Sequence, residues 1–207
     1  MEFWDEWLED DLAALPSEEV ALLHEREERE RMKTEYLLQK EIDLVLAALT
    51  DTNRLVMRTA LCTGLRVGDV LALKPGQLKP HFWVTEQKTG KKRQVGLPQP
   101  LLSDLKNHAG EWWVFPGRNP RNHHTRQAVW KDVKRAAAAF RLPQNVGPHS
   151  ARKVYAVELL HKYGDIDRVR RALNHSSESV TLIYAMADQQ LEAKNRRRRS
   201  GGGRRLS

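Results

Sequence analysis

The sequence contains a single cysteine, Cys62, and no apolar run long enough to cross a membrane. One thiol cannot form an internal disulfide, so we expect an intracellular, cytoplasmic protein, with Cys62 buried in the apolar stretch TALCTGL. The histidines lack zinc-site spacing, and the adjacent pair His123 and His124 favours a loop. The first residues are acidic and contain tryptophan, which is unlike a secretory signal. The sequence therefore predicts no metal, no cofactor and no membrane partner.

Charge is distributed unevenly along the 207 residues, whose formal net charge is +8. Residues 1–35 hold 13 acidic and 4 basic side chains, whereas the remaining chain holds 14 acidic and 31 basic ones. A body this basic is typical of proteins that bind a polyanion such as nucleic acid. The alternative is a basic surface that is simply solvated.

Residues 1–35 are predicted to form an acidic helical segment. Apolar residues at positions 3–15 recur at helical spacing, Pro16 and Ser17 interrupt them, and Glu and Arg then recur at three- and four-residue spacing to about Lys33. Such a charged face is usually solvated, although it could also cover the basic body until DNA displaces it. At the other end of the chain, the composition of residues 194–207 predicts a disordered basic tail.

Residues 36–193 are predicted to form the main domain. Apolar spacing predicts a short helix in VGDVLAL and longer helices at about 37–49, 54–63, 98–108, 125–140, 149–163, 165–173 and 177–193. Alternation predicts strands at 81–86 and 93–97, joined by a hairpin loop at Lys88-Thr89-Gly90, and 112–115 (WWVF) as a third strand or an edge. The sequence thus predicts a mainly α fold (α+β) with a small antiparallel β-sheet.

Arg66 follows a glycine at a predicted helix–helix junction. Gly64 can adopt a positive φ at the end of the preceding helix, which would aim Arg66 away from the apolar faces. A guanidinium in that place could hold a phosphate through two parallel hydrogen bonds. The alternative is an arginine at a helix start that pairs with Asp69.

Lys88 lies at the predicted hairpin tip, where an ammonium group could reach the groove of a nucleic acid. A lysine beside a leaving oxygen can act as a general acid, because neighbouring groups adjust its pKa. Lys88 could equally be an ordinary turn lysine, and Lys91 and Lys92 are nearby rivals for the same role.

His149 and Arg152 follow Gly147-Pro148, a pair that favours a helix start. Residues three apart share a helix face, so the imidazole and the guanidinium would point together from the helix N-terminus. That end of a helix attracts anions. The alternative is a surface helix whose charges have no common role.

His175 and Tyr184 belong to the segment ALNHSSESVTLIYA. A serine after His175 can cap the next helix, and Tyr184 would lie two turns into it. A tyrosine hydroxyl has a reference pKa near 10, so it needs surrounding cations and a base to act as a nucleophile. Alone, Tyr184 could be a tyrosine at the edge of the core.

Taken together, these segments resemble the catalytic domain of the tyrosine recombinase (phage integrase) family, from about Tyr36 to Ala187. The motifs that carry the resemblance are TALCTGLRVGDVLALKPGQL around the first arginine, WVTEQKTGKKRQVGLP around the lysine, PHSARKVYAVELL and ALNHSSESVTLIYA. The tyrosine stands nine residues after the histidine of the last motif, and the last two motifs in this order are highly specific.

The resemblance implies a role for each residue. Tyr184 attacks the scissile phosphate and forms a 3′-phosphotyrosine link, Arg66 and Arg152 hold the non-bridging oxygens, and Lys88 protonates the leaving 5′-oxygen. His149 assists proton transfer and His175 supports the phosphate. The implied activity is site-specific DNA cutting and rejoining without metal or ATP, by a homodimer or tetramer on double-stranded DNA. Basic residues proposed to contact that DNA are Lys91, Lys92, Arg93, Arg126, Lys131, Lys134, Arg135 and Lys153.

The sequence departs from the family pattern in several places. Asp69 replaces the usual glutamate, Asn174 replaces a glycine and Lys153 stands where histidine is common, yet no catalytic group is missing. Most members also carry a helical core-binding domain, which residues 1–35 are too few and too acidic to replace. The chain is therefore expected to be a compact recombinase, a fragment, or a protein that relies on an accessory or fuller recombinase partner.

Three other functions fit parts of the pattern. A type IB topoisomerase would use similar chemistry as a monomer to relax supercoils. A DNA-binding regulator could keep the fold with little activity, and a basic helical adaptor would need none of the six residues.

Overall fold

The computed structural model of the protein describes residues 37–173. The predicted acidic segment at 1–35, the predicted helix at 177–193 and the tail at 194–207 lie outside the described residues, as do His175 and Tyr184. Within 37–173 the chain forms seven α-helices, one short 3-10 helix and a two-stranded antiparallel sheet. The prediction of a mainly helical fold with a small antiparallel sheet is confirmed.

The helices and strands follow the predicted order along the chain. They are α1 (Gln39–Ala48), α2 (Asp51–Thr63), α3 (Val67–Leu71), the 3-10 helix Pro75–Gln77, β1 (His81–Thr85), β2 (Lys92–Gly96), α4 (Gln99–His108), α5 (Arg126–Ala139), α6 (Pro148–Tyr163) and α7 (Ile166–Leu173). Of the helices in this described part, none is both long enough and apolar enough to cross a bilayer.

The two strands form the predicted hairpin. β1 and β2 pair antiparallel, with Trp83 opposite Gln94, and alternate residues of both strands face the core. The loop is closed where the Glu86 N–H donates to the Lys91 carbonyl at 3.0 Å. Lys88 is exposed within this loop, as the sequence predicts.

The prediction of a third strand at residues 112–115 is wrong. In the described chain this segment is irregular, and only Pro116 and His123 beyond it form an isolated bridge. Val114 and Phe115 are nevertheless fully buried, and the Val114 N–H donates to the Leu73 carbonyl at 3.0 Å. The apolar run therefore reflects packing into the core between helices, which periodicity cannot distinguish from a buried strand.

Most of the apolar side chains form one core that extends from α1 to the first half of α6. A smaller cluster lies between α6 and α7 and consists of Ala156, Val157, Leu160, Val169 and Leu173. α6 is therefore packed on both sides along its length, against α2 on one side and α7 on the other. This packing fixes the direction of the first turn of α6, which carries His149 and Arg152.

Cys62 is exposed on α2, and the expectation that it is buried is wrong. The face of α2 that packs inward comprises Asn53, Val56, Met57, Thr59, Ala60 and Thr63. Cys62 lies beside this face, so the apolar surroundings in sequence did not predict its position on the helix.

A buried carboxylate, Asp132 of α5, joins that helix to the start of α2. Its Oδ2 accepts hydrogen bonds from the Thr50 N–H at 2.9 Å, the Thr50 hydroxyl at 3.0 Å and the Asn53 amide at 2.8 Å. Its Oδ1 accepts from Arg135. Burial opposes ionisation, but the hydrogen bonds from Asn53, Thr50 and Arg135 outweigh it and lower the pKa of Asp132 to about 2.

We predict that Asp132→Asn lowers the free energy of unfolding at pH 7 by about 1–3 kcal/mol, the usual contribution of hydrogen bonds to a charged group. A lowered carboxyl pKa adds stability above its unfolded pKa of about 4, and this stability is lost as the pH falls through about 2. Urea unfolding of both proteins should therefore show a difference that shrinks from pH 7 to pH 3.

Asp104→Asn is the matched control, because Asp104 forms an exposed ion pair with Arg58. Its effect should stay below about 1 kcal/mol. An equal loss for both variants, or a loss for Asp132→Asn that does not change with pH, would contradict the network.

Candidate active site

Arg152 brings distant parts of the chain together. The side chain is buried, with 6% of its surface exposed. One guanidinium nitrogen donates to the Gly64 carbonyl at 2.5 Å, across 88 positions of sequence, and the other donates to the Leu173 carbonyl at 2.5 Å. The first turn of α6 is thereby tied to the C-terminal ends of both α2 and α7.

Gly64 makes this approach possible. It is the C-cap of α2 in the left-handed conformation, with φ +63°, as the sequence predicts. A Cβ at this position would lie 2.3 Å from Cδ1 of Tyr155, one turn after Arg152 on α6. The absence of a side chain therefore serves both the backbone turn and the close packing of α2 on α6.

Arg66 stands at the N-cap of α3, directly after the turn, and one fifth of its side chain is exposed. Its Nη1 donates to Oε2 of Glu86 at 2.6 Å. Asp69, the partner considered in the sequence, instead accepts the backbone N–H of Gln87 at 2.9 Å. The acidic partner of Arg66 thus comes from the hairpin.

Arg93, proposed from the sequence as a DNA contact, is buried in the structure. It occupies an inward position of β2, donates to the Thr63 carbonyl at 2.8 Å and hydrogen-bonds the Ala172 carbonyl. Its Nε lies 3.3 Å from Oε1 of Glu86. This position differs from the surface position that a phosphate contact needs, because strand alternation turns the side chain inward. We therefore leave Arg93 out of the proposed DNA surface.

The charges of this cluster perturb one another. Burial first, then the positive charges of Arg66 and Arg93, lower the pKa of Arg152 to about 9, which leaves the guanidinium charged at neutral pH. Burial would raise the pKa of Glu86, but the hydrogen bond and charge of Arg66 and the charges of Arg152 and Arg93 outweigh it and hold this pKa below its usual value. Burial raises the pKa of Asp69 despite the Gln87 hydrogen bond.

The structure brings two of the six predicted residues together, since Arg66 and Arg152 both lie at the C-terminal end of α2, close enough for the charge of Arg66 to lower the pKa of Arg152. His149 is half-buried in the first turn of α6, and Lys88 is exposed in the hairpin loop whose Glu86 binds Arg66. His175 and Tyr184 lie outside the described residues, so their roles stay predictions. Within residues 37–173, no group of three His, Cys, Asp or Glu could hold a metal ion.

The remaining basic residues proposed to contact DNA occupy different surroundings. Four are exposed, namely Lys91, Lys92, Arg126 and Lys131, whereas Lys134 and Lys153 are half-buried. Arg126 lies close to the site, because a Cβ on Gly68 of α3 would be 3.5 Å from Arg126 Cδ. Arg135 is exposed but holds Asp132 and the Ala48 carbonyl.

Two residues of the site were not identified from the sequence. Glu86 extends the inward alternation of Phe82 and Val84, and a carboxylate at an inward strand position is a signal that a cationic partner lies inside. Tyr155 follows Arg152 by three positions and so shares its helix face, but sequence alone gives no sign that Gly64 packs against its ring.

The comparison with protein families gives a match to the phage integrase family over residues 35–190, about three quarters of the chain. This chain belongs to the phage integrase family. Among curated proteins it is 33% identical over 133 residues to Probable integrase/recombinase YoeC of Bacillus subtilis (strain 168), covering 61% of this chain and 73% of that one. Other curated relatives are matched over 45% to 61% of their own length, so this integrase-family chain spans about half of them.

Solved structures share the fold of this integrase-family chain. A XerH recombinase bound to a palindromic difH substrate after cleavage superposes with a TM-score of 0.62 at 23% identity, covering 79% of this chain and 53% of that one. A lambda integrase dimer bound to a COC′ core site gives a TM-score of 0.62 at 21% identity, covering 84% and 62%. At this level of identity the likeness shows the fold alone.

We predict that Gly64→Ala destabilises the protein more than Gly164→Ala. Both glycines end a helix with φ +63°, so each alanine should cost about 1–2 kcal/mol of unfolding free energy from the left-handed backbone. A Cβ at Gly164 has open space, whereas one at Gly64 meets the Tyr155 ring. Chemical denaturation should therefore give a clearly larger loss for Gly64→Ala, and equal losses would contradict the close approach.

Proposed function

We propose that this protein is a site-specific DNA recombinase of the integrase or invertase type, which cuts and rejoins double-stranded DNA through a 3′-phosphotyrosine intermediate. The observation that carries the proposal is that Arg66 and Arg152 lie close together, near enough for their charges to interact. These two guanidinium groups come from separate motifs, and both are held in place by groups of the protein itself. Such a prearranged pair of cations suits a phosphodiester, whose reaction depends on positioning and on compensation of equatorial charge.

In the proposed reaction the Tyr184 hydroxyl oxygen attacks the scissile phosphorus. The bond from phosphorus to the 5′-oxygen breaks as the bond to tyrosine forms, and Lys88 transfers a proton to the departing 5′-oxygen. His149 assists removal of the tyrosine proton, and His175 supports a phosphate oxygen. A free 5′-hydroxyl of a partner strand then attacks the phosphotyrosine, which restores the tyrosine and reseals DNA without ATP.

The described contacts support the roles of the two arginines. Arg152 is anchored by two backbone carbonyls, one from the end of α2 and one from the end of α7, and burial makes its charge harder to screen. Arg66 has partial exposure and is oriented by Glu86. A guanidinium carries five N–H donors in a fixed plane, so an arginine oriented at one edge can present another edge to phosphate oxygens. Together these cations would compensate the charge that a divalent metal compensates in many nucleases.

The proposed partner is double-stranded DNA, held by a homodimer or tetramer. The shared fold with a recombinase on a difH substrate and with an integrase dimer on a core site supports this assembly. The exposed lysines and Arg126 would bind backbone phosphates near the site, which predicts salt-dependent affinity. Because the chain spans about half the length of several relatives, the proposal includes an accessory or fuller recombinase that supplies further contacts to DNA.

We predict that Tyr184→Phe abolishes covalent attachment to DNA and leaves DNA binding intact, because only the nucleophilic oxygen is removed. The assay incubates the protein without metal with nicked duplexes from its own genomic neighbourhood and detects an adduct that survives denaturant. Tyr163→Phe is the matched control, since Tyr163 is exposed on α6 and its ring stacks on Arg168 at 3.6 Å, a contact that phenylalanine keeps.

The outcomes of this assay separate the alternatives. An adduct that persists in Tyr184→Phe would refute the assigned nucleophile. Binding without any adduct would favour a DNA-binding regulator. An adduct accompanied by relaxation of supercoiled DNA by a monomer, without paired sites, would favour the topoisomerase alternative.

We predict that Arg66→Lys reduces the rate of adduct formation by about 10²–10³, the range for loss of one donor that stabilises a developing anion. Lysine keeps the charge but cannot donate two parallel hydrogen bonds to phosphate oxygens. The control is Arg58→Lys, because Arg58 forms an exposed ion pair with Asp104 on the surface of the protein. Equal single-turnover rates for Arg66→Lys and the unaltered protein would remove Arg66 from the proposed site.

A further inference from the structure

Glu86 is a fully buried carboxylate at the end of β1, where the hairpin loop begins. Its Oε2 accepts hydrogen bonds from Nη1 of Arg66 at 2.6 Å and from the Thr89 hydroxyl at 3.1 Å. Its Oε1 lies 3.3 Å from Nε of Arg93. One oxygen atom of Glu86 therefore joins the proposed phosphate-binding Arg66 to the loop that carries Lys88.

The same loop is held at several points around Lys88. The Gly90 N–H donates to the Glu86 carbonyl at 2.8 Å, and the Gln87 N–H donates to Asp69 of α3 at 2.9 Å. Residue 88 thus lies between two neighbours that are both tied to carboxylates, Gln87 through Asp69 and Thr89 through Glu86. These hydrogen bonds give the hairpin loop a defined position relative to α3, which follows Arg66.

The charge of Glu86 is stable in this setting. The neighbouring guanidinium groups of Arg66, Arg152 and Arg93 outweigh the burial effect and hold the carboxylate ionised. Arg93 donates to the Thr63 carbonyl at 2.8 Å, so the cation that pairs with Glu86 is itself held in place by the backbone. The carboxylate is therefore fixed from the interior and can fix groups nearer the surface.

We propose that Glu86 is a positioning residue for DNA cleavage, whose carboxylate fixes Arg66 and the Lys88 hairpin relative to each other. This proposal rests on the proposed recombinase function. Glu86 itself does not touch the reacting atoms, and it acts by setting the distance between the cation that holds the phosphate and the acid that protonates the leaving oxygen. Misplacement of a reacting group by about 1 Å can lower a rate by about 10².

An opposite role is conceivable for a carboxylate beside a phosphate-binding arginine. Glu86 would then compete with the phosphate for Arg66, and its removal would accelerate cleavage. The hydrogen bond from Thr89 and the ion pair with Arg93 favour the positioning role. A carboxylate that only competed with the phosphate for Arg66 would not require a contact to the loop. The two roles predict rate changes of opposite sign.

The test compares three variants of the full chain in single-turnover adduct formation at saturating protein. Glu86→Gln removes the charge with little change in shape. Thr89→Val removes the hydroxyl that donates to Glu86 and accepts the Lys91 N–H within the loop. Thr85→Val is the control at an exposed position on the opposite face of β1. Each is assayed on an ordinary nicked duplex and on one with sulfur at the 5′-bridging position. A thiolate leaves without a proton, because the pKa of a thiol is near 8.5.

On the ordinary duplex we expect Glu86→Gln to be about 10- to 100-fold slower and Thr89→Val to be about 10-fold slower, with Thr85→Val unchanged. The sulfur duplex should restore Thr89→Val to the unaltered rate, because only the acid is misplaced. It should restore Glu86→Gln in part, because Arg66 is misplaced as well. The apparent Kd for DNA should change little in either variant.

Several results would overturn the proposal. Faster or unchanged cleavage by Glu86→Gln would show competition or no role, and a Thr89→Val defect that sulfur does not repair would show that the loop does not act through Lys88. Amide hydrogen exchange gives a readout independent of activity, since the proposal requires faster exchange at Gln87 and Gly90 in both variants. Unchanged exchange would overturn it even in a folded, inactive protein.

A different result would refute the proposed recombinase function. If the unaltered chain forms no Tyr184-dependent adduct with either duplex, the function is refuted. Hydrogen exchange then still decides whether Glu86 holds the hairpin.

Discussion

The site depends on the buried guanidinium of Arg152, because its two hydrogen bonds join three helices at one point. The bonds to the carbonyls of Gly64 and Leu173 add to the packing of α6 on α2 and α7, and they tie the ends of α2 and α7 to the start of α6. Gly64 permits this contact by lacking a side chain under the Tyr155 ring. The arginine therefore organises the fold locally and is also placed where the proposed chemistry needs a cation.

Burial of so much positive charge has an energetic consequence. Arg66, Arg93 and Arg152 lie close enough for their charges to oppose one another, and burial adds to the cost, as the lowered pKa of Arg152 shows. Within residues 37–173, Glu86 and Asp69 supply acidic charge to this cluster, and burial raises the pKa of Asp69. Three cations face two acids, which leaves the cluster with a residual positive charge that an incoming phosphate would balance.

Much of the architecture could be predicted from local sequence, and two of the failures have a common physical cause. The helix end at Gly64, the helix start at Pro148 and the hairpin around Lys88 follow from backbone preferences that act within a few residues. The error at 112–115 and the error at Cys62 concern burial, which depends on packing between distant elements. Arg93 is a different case, because the local alternation of β2 already turns its side chain inward, and the assignment to the surface rested on its charge alone.

The site was predicted less completely than the fold, because contacts between motifs are absent from any one motif. Arg66 and Arg152 could be identified as candidates, yet the sequence offered Asp69 as the acidic neighbour of Arg66, whereas the hydrogen bond goes to Glu86. The available signal was Glu86 itself, an acidic residue that continues the inward alternation of β1. Such a residue needs a cation within reach, and three arginines in the neighbouring motifs were there to provide one.

The arrangement of anchors explains how a cluster of arginines can bind an anion without collapsing onto its own carboxylates. Arg152 and Arg93 are held by backbone carbonyls, which carry no net charge and so leave most of each cation's field uncompensated. Arg66 is held by the carboxylate of Glu86, whose Oε2 also accepts from Thr89 and whose Oε1 forms an ion pair with Arg93. Because Glu86 is held by these contacts as well, it can orient Arg66 while the phosphate approaches from the exposed side. Backbone carbonyls and the Glu86 carboxylate thus orient the arginines in the absence of DNA. This suits the proposed function, because electrostatic stabilisation is most effective when the charges are already in place.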